Sequence, residues 1–348
     1  MRTALIGAGQ IAREHLSCLA TLDDVEVAGV CDLSPAVAEA TAERHRVPAW
    51  FTDHRLMLAE LRPDVVHVTT PPTSHHALGI DALQAGAHVI VEKPATATLE
   101  ELEDLVDRAT TLDRVLLEDY NYIFNHSLEA ISERVEAGDF GAVVHVDVMV
   151  CLDILGPLGF ADPNARHPIL SLRGGAVSDF LPHLASIAHH FLGPHQEAYP
   201  IWSKRSATVL PYDEFHALVG FGRGTAHLGF SASAQADGFW VRVHGERMQA
   251  TTNLWDERLT YDGLRPGPRQ LRPLLNGLDE ARAVRGAAIR GFLGKFGGGP
   301  GTYDGLWEFI RRTYDALGSR STPPFTRGDI LAVNRLVDAL KPVAEVPA

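Results

Sequence analysis

Ten residues, "TALIGAGQIA" from Thr3 to Ala12, restrict the fold more than any other part of the chain. An apolar run of strand length enters a Gly-x-Gly-x-x-Ala step and leaves it in a segment of helical period. Such a step demands a strand ahead of it and a helix behind it. Gly7 permits the tight turn, Gly9 lets the backbone approach a pyrophosphate, and Ala12 is small enough for the helix to lie close against the strand. Around Gln10 and Ile11, at the helix start, N–H groups without intrahelical partners and the helix dipole favour an anion. Gly7, Gly9, Gln10, Ile11 and Ala12 therefore form a candidate nucleotide-binding loop.

The segments that follow fit that reading. "VEVAGV" before Asp32, "DVVHVTT" from Asp64, "HVIVE" from His88 and "RVLLE" from Arg114 are strand-like, with amphipathic stretches such as "TLEELEDLVDRATTL" between them. Strands alternating with helices predict an α/β fold, a doubly wound parallel sheet of Rossmann type over residues 1–122. Asp32 stands about 20 residues beyond the glycine loop, where a carboxylate accepts hydrogen bonds from adenosine ribose hydroxyls. Taken by itself it would read as a helix N-cap. Its charge repels a ribose 2′-phosphate, and Leu33, Ser34 and Pro35 bring no cation. NAD is expected as the cofactor in preference to NADP, unless Arg44 or Arg46 folds back.

Two strand ends carry further candidates. In "TTPPTSHH", Pro71 and Pro72 stop the ladder and turn the chain at the carboxyl edge of the sheet, where open α/β folds bind ligands. Thr69 or Thr70, with Pro71, would meet the cofactor there. His75 either touches ribose or nicotinamide or, with Ser74, serves the start of the next helix. "HVIVEKPATATLEE" from His88 puts Glu92 and Lys93 at the mouth of a buried strand, held by Pro94. A snorkelling side chain or an ion pair with Glu92 is the plain alternative to a chemical role for this lysine.

With these three motifs in register, the chain resembles the glucose–fructose oxidoreductase, inositol dehydrogenase and MocA (Gfo/Idh/MocA) family. The resemblance implies that the lysine of the Glu-Lys-Pro motif faces nicotinamide and substrate, which makes Lys93 a catalytic residue in contact with both and sets Glu92 beside the cofactor. Burial and an oxidised nicotinamide would both disfavour its ammonium form and poise it for proton exchange. In "EDYNYIFN", Asn121 fits the family's Asn-x-Arg-Phe type motif as a substrate contact, whereas Ile123 replaces the arginine. "RGGAVSDFLPHLASIAHHFLG" from Arg173 is similar to a family segment of the form Gly-Gly-Gly-x-x-x-Asp-x-x-x-His. That similarity makes Asp179 a substrate-binding aspartate and His183 an acid/base histidine. By residue type alone, Asp179 is an N-cap and His183 a core histidine. Their i, i+4 spacing sets both on one helical face, and Pro182 suggests that they lie in its first turn. Many relatives carry a further aspartate where this chain has Ser186.

From Val143 onward, "VVHVDVMV", "HALVGFG", "TAHLGFSASA", "FWVRVHG" and "RMQATTN" alternate with period two. They predict that residues 123–348 form a substrate-binding and oligomerisation domain of α+β type, with a largely antiparallel open sheet whose free face joins a homodimer or homotetramer. The substrate is expected in a cleft between the domains. Between Gly263 and Thr302, Arg265, Arg269, Arg272, Arg282, Arg285, Arg290 and Lys295 stand against Asp279 and Glu280 alone. This basic island suits an anionic substrate, an oligomer interface or a solvated helix. "FGGGPG" nearby lacks the Lys-Ser/Thr of a phosphate loop.

Composition removes other classes. A formal net charge of -13 disfavours nucleic-acid and anionic-lipid partners, and no apolar run reaches the roughly 18 residues of a membrane span. The first strand starts so near Met1 that no signal peptide is expected, and the three cysteines, Cys18, Cys31 and Cys151, form neither a disulfide nor a metal pattern. A cytoplasmic protein is expected. The 17 histidines show no HExxH or Cys-rich spacing, so no metal is expected. The expected activity is NAD-dependent hydride transfer to or from a secondary alcohol or ketone of a sugar, cyclitol or sugar derivative, glycosylated and nucleotide-linked ones included, with Lys93 and His183 as proton relay. A dinucleotide-binding regulator, and redox-neutral or imine chemistry on the same fold, are the alternatives.

Overall fold

The computed structural model describes residues 1–155, 174–206, 208–234, 237–256, 258–263, 268–294 and 303–342. The chain forms two compact units, Met1–Asn121 with Leu306–Asn334, and Tyr122–Gly305 with Arg335–Ala348. A single cut at residue 122 does not describe this division. Tyr314 and Asn334 belong to the first unit because they satisfy polar groups buried in it: the Tyr314 hydroxyl lies 2.8 Å from Thr3 Oγ1, and the Asn334 amide donates to Glu118 over 2.5 Å.

The first unit is built on β1 (Arg2–Ile6), β2 (Glu26–Cys31), β3 (Trp50–Phe51), β4 (Val65–Val68), β5 (His88–Val91) and β6 (Leu116–Glu118). The sheet order is β3-β2-β1-β4-β5-β6 and every pairing is parallel. Helices α1 (Gln10–Leu19), α2 (Pro35–His45), α3 (His54–Leu61), α4 (Pro72–Gln84) and α5 (Leu99–Thr111) connect the strands. Covering helices explain why the central strands are apolar throughout: all four residues of β4 are buried. Strand order reverses between β1 and β4, and ligand sites of open α/β sheets lie outside the carboxyl ends of the strands at such a reversal. Helix α5 starts where Thr98 Oγ1 accepts from the Glu101 N–H and the Glu101 carboxylate accepts from the Thr98 N–H, so the chain beyond Pro94 turns directly into a capped helix.

The second unit contains α6 (His126–Glu136), β7 (Val143–Cys151), α7 (Gly175–Leu192), β8 (His195–Ser203), β9 (Glu214–Phe221), β10 (Thr225–Ser231), β11 (Gly238–Gly245), β12 (Met248–Asn253), β13 (Arg258–Gly263) and α8 (Arg272–Gly294). Its sheet runs β13-β12-β11-β7-β10-β9-β8, with β7 and β10 parallel and the other neighbours antiparallel. Val146, Val148, Val150, Ala217, Val219, Leu228 and Phe230 are buried on the side against which α7 packs. The opposite side carries His145, Asp147 and His227 with the exposed Tyr199, Ile201 and Leu218. Strands β8 and β13 were not expected; both are edge strands, and Pro200 within β8 is tolerated there because an edge backbone need not donate on its outer side.

The basic island forms most of α8. Arg282 pairs with Asp279 at 3.2 Å, while Leu274, Leu278 and Ile289 on the same helix are exposed. Arg265, Lys295 and the "FGGGPG" segment lie outside the described residues, as do the side chains of Arg269, Arg272 and Arg290. Helices α9 (Asp304–Ser319) and α10 (Arg327–Leu340) close the chain. No helix among the described residues is long and apolar enough to cross a membrane. All three cysteines are buried and free.

Candidate active site

The glycine loop is shaped by two different constraints. Gly7 has φ +95°, and a Cβ there would meet Thr70 Cγ2 at 2.7 Å and the Thr69 carbonyl carbon at 2.8 Å. At Gly9 φ is -71° and a Cβ would meet nothing within 4 Å. The first glycine is thus fixed by the protein itself, whereas the second borders open space at the start of α1. No side chain caps that helix and its first turn holds no acidic residue, so the N–H groups around Gln10 and Ile11 are available to an anion. Ala12 is fully buried against the sheet.

Asp32 closes the other side of this loop. Its two carboxylate oxygens accept from the Ala8 and Ser34 N–H groups, each at 2.9 Å, and retain acceptor capacity because a carboxylate oxygen takes two hydrogen bonds. Open space at Gly9, uncovered N–H groups and a half-buried aspartate at the end of β2 together fit the pyrophosphate and ribose of a dinucleotide. Thr69 is buried and donates to the Gly7 carbonyl at 2.7 Å, while Thr70 Oγ1 accepts from Ser74 at 2.7 Å. Both therefore brace the loop. His75 is placed differently from a ligand contact: it is fully buried, with Nδ1 3.0 Å from the Pro94 carbonyl oxygen and Nε2 2.6 Å from that of Thr70. Burial lowers its proton affinity against those two carbonyls. The imidazole ties the Thr70–Pro71 turn to the Lys93–Pro94 segment, whose peptide bond is cis.

Beside Lys93 lies a buried polar cluster that the sequence did not disclose. Glu92 accepts the Lys93 N–H at 3.2 Å through Oε2 and faces His15 Nε2 at 3.0 Å through Oε1. Burial pushes this carboxyl up, but the hydrogen bond from His15 and the charge of Lys93 outweigh it and hold the group below the usual carboxylate range. Asp119, just beyond β6, moves the opposite way: burial, then the neighbouring charge of Glu92, raises it well above that range. Among the described residues, His15, Glu92 and Asp119 bring one potential ligand atom each within 4.8 Å of one another. Glu118 is also buried and is pushed up to about 7 by burial, despite donors from Tyr120, Asn334 and the Ala95 N–H. The acidic pair in "EDY" at the end of an apolar strand was the signal that could have revealed this cluster.

In the second unit α7 begins at Gly175, whose φ of +59° and contact with Pro211 leave no room for a side chain. Pro182 consequently sits inside the helix and Asp179 lies beyond its first turn, which corrects the expected N-terminal placement. The glycine pair lets the helix start a turn earlier, and burial on nearly every side holds that turn although Pro182 lacks an N–H to donate. His183 is buried, with Tyr122 edge-on at 4.7 Å between ring centroids and Phe180 at 5.9 Å. Tyr122 in turn meets Phe239 at 4.7 Å and takes the indole N–H of Trp255 at 3.5 Å, an aromatic group that no sequence motif announced. Ser186 donates to the His183 carbonyl at 3.1 Å, a helix-internal bond. Ile123 is buried, and Asn121 Oδ1, in the first unit, is buried without a hydrogen-bond partner.

Two family models match the sequence. One, described as the oxidoreductase family with NAD-binding Rossmann fold, covers residues 1–120; the other, the GFO/IDH/MocA C-terminal domain, covers residues 128–251. The chain belongs to the Gfo/Idh/MocA oxidoreductase family. Its first unit is an NAD-binding Rossmann domain. It is similar to a D-glucoside 3-dehydrogenase of Escherichia coli K12, 36% identical over 144 residues that make up 41% of each chain. That match spans about two-fifths of the relative's length. A dTDP-3,4-didehydro-2,6-dideoxy-alpha-D-glucose 3-reductase of Saccharopolyspora spinosa is 28% identical over 238 residues, 65% of this chain and 69% of the other. The fold is shared with an oxidoreductase from Agrobacterium radiobacter crystallised with NAD+, L-tartaric acid and magnesium, at a TM-score of 0.80 and 16% identity over 97% of this chain and 94% of that one.

Proposed function

We propose that this Gfo/Idh/MocA member is an NAD-dependent oxidoreductase acting on a secondary alcohol or ketone of a sugar unit, with nucleotide-linked and glycosylated sugars in its range. The observation that carries the reading is the placement of Lys93: it follows β5 at the same carboxyl edge of the sheet as the glycine loop and the Thr70–Pro71 turn. NAD held by the glycine loop and Asp32 supplies the acceptor or donor of hydride. Lys93 exchanges the hydroxyl proton, His183 is the second proton-exchanging group, and Asp179 with Asn121 orients the sugar hydroxyls. His75 and Thr69 act by holding the loops that carry these contacts. Asp32 makes NAD the preferred form, since a 2′-phosphate would meet its carboxylate. Both sugar-active relatives carry position 3 of a glucose unit in their names. The position-3 hydroxyl of a hexose unit is accordingly the first candidate for oxidation.

The test is the change in nicotinamide absorbance with purified protein, NAD and NADP in parallel, against glucosides, free sugars, cyclitols and dTDP- or UDP-linked sugars. Reduction of NAD by one of these classes, abolished in Lys93→Ala, supports the reading. Tight NAD binding without turnover of any of them would move the weight to a regulator or to a reaction that returns its hydride.

A further inference from the structure

The roles proposed above leave the groups behind Lys93 unused. Glu92 follows β5 and Asp119 follows the neighbouring β6, so both carboxyls emerge at one sheet edge, at 7% and 2% exposure. One oxygen of each carboxyl and one ring nitrogen of His15 lie within 4.8 Å of one another. Two buried carboxylates this close do not both ionise, so one of them keeps a proton. The positions of the remaining donors decide which carries it. Glu92 receives the Lys93 N–H and His15, whereas Asp119 Oδ1 is buried without a hydrogen-bond partner. An orphaned oxygen costs less on a neutral acid than on a carboxylate. The charge belongs on Glu92 and the proton on Asp119.

Behind Glu92 runs a buried chain. His15 Nδ1 lies 2.8 Å from His67 Nδ1, His67 Nε2 lies 2.9 Å from the Tyr314 hydroxyl, and that hydroxyl lies 2.8 Å from Thr3 Oγ1. With both imidazoles neutral and His15 donating to Glu92, one proton order satisfies every link. Thr3 donates to Tyr314, Tyr314 to His67 Nε2, His67 Nδ1–H to His15 Nδ1, and His15 Nε2–H to Glu92. All four donors then point toward Glu92. Burial keeps His67 well below the usual histidine range, which agrees with a neutral ring. Among the described residues, Lys93, His75 and Glu118 are further titratable groups around the pair.

We propose that Glu92 and Asp119 hold one proton between them, so that the pair presents a single negative charge to Lys93, and that the Thr3–Tyr314–His67–His15 chain fixes that charge on Glu92. This rests on the reading of Lys93 as the group that exchanges the substrate's proton. Asp119 and His15 are then positioning residues: they set the proton affinity of Lys93 without touching substrate. Two full charges would hold the lysine as ammonium, and none would leave a half-buried lysine prone to lose its proton.

The experiment is a titration of Lys93 by NMR in the full chain carrying 13C-labelled lysine, its signal assigned by loss in Lys93→Arg. The forms compared are wild type, Glu92→Gln, Asp119→Asn and the double variant. Each single variant keeps one carboxyl, so each is expected to change the proton affinity of Lys93 by less than about threefold, and the double variant to lower it about tenfold or more. If each single variant lowers it strongly and the effects add, the carboxyls are separate anions and the proposal is overturned. Should the double variant fail to fold, the two single variants still decide. A divalent metal bound one per chain in wild type and lost in Asp119→Asn would also overturn it, because a cation would occupy the place of the shared proton. The titration needs no substrate. The expected pattern in a protein that turns over none of the tested sugars would sustain the shared proton and count against the oxidoreductase reading alone.

Discussion

Replacing each loop glycine by alanine should separate stability from cofactor binding. At Gly7 a Cβ would come within 2.7–2.8 Å of Thr70 Cγ2 and the Thr69 carbonyl, and the residue holds φ +95°. A left-handed backbone costs a non-glycine residue about 1–2 kcal/mol, and forcing packed neighbours to shift costs about 1–3 kcal/mol. Gly7→Ala should therefore lose about 2–5 kcal/mol in a urea or thermal unfolding titration. At Gly9 the backbone is ordinary and the space is open. Alanine is the poorer helix cap, but it also restricts the unfolded chain, and these terms nearly cancel. Gly9→Ala should change stability by less than about 1 kcal/mol yet weaken NAD about ten- to a hundredfold by calorimetry, since its methyl group points where a pyrophosphate would lie. A Gly9→Ala protein that binds NAD as tightly as wild type would refute the assignment of this loop.

Three other outcomes follow from the site. Lys93→Ala should lower kcat by about a hundredfold or more while NAD affinity stays within a few fold, because the lysine acts on a proton rather than on the dinucleotide grip; equal losses in both would contradict that division. Asp32→Ala should weaken NAD and narrow the gap between NAD and NADP, read from the two dissociation constants. Glu118 is raised to about 7 in the fold from an ordinary 4.5, so the native state binds the proton more tightly than the unfolded chain. Its contribution is greatest in acid and is lost as pH rises through about 7. Relative to Glu118→Gln, wild type should thus lose up to about 3 kcal/mol between about pH 4.5 and 8, and parallel stability curves would disprove the assignment.

The parts of the fold legible in the sequence are those whose signal is local. Strands β1, β2, β4 and β5 are apolar because helices cover both faces, and the glycine step between β1 and α1 carries its own geometry in residue types. Edge strands lack that pressure: β3 is two residues long, and β8 mixes Glu197, Tyr199 and Pro200. Pro182 misled about the start of α7 because the decisive constraint, the backbone of Gly175 against Pro211, lies outside any helix pattern. Lys93 was visible through its motif. Asp119 was not, since it meets Glu92 through the pairing of β5 with β6, and sheet neighbours distant in sequence leave no spacing to read. His75 was legible as a candidate, but two carbonyl oxygens from separate loops turned it inward.

The return of Leu306–Asn334 to the first unit bears on how the protein is made. The strands and loops of its nucleotide-binding sheet are complete by Asn121, yet the hydroxyl that serves His67 and Thr3, and the amide that serves Glu118 and Tyr120, are encoded about two hundred residues later. A nascent chain holding the sheet alone would bury those groups without their partners, at a penalty of about 1–3 kcal/mol each. The part of the molecule that is synthesised first is thus among the last to be finished.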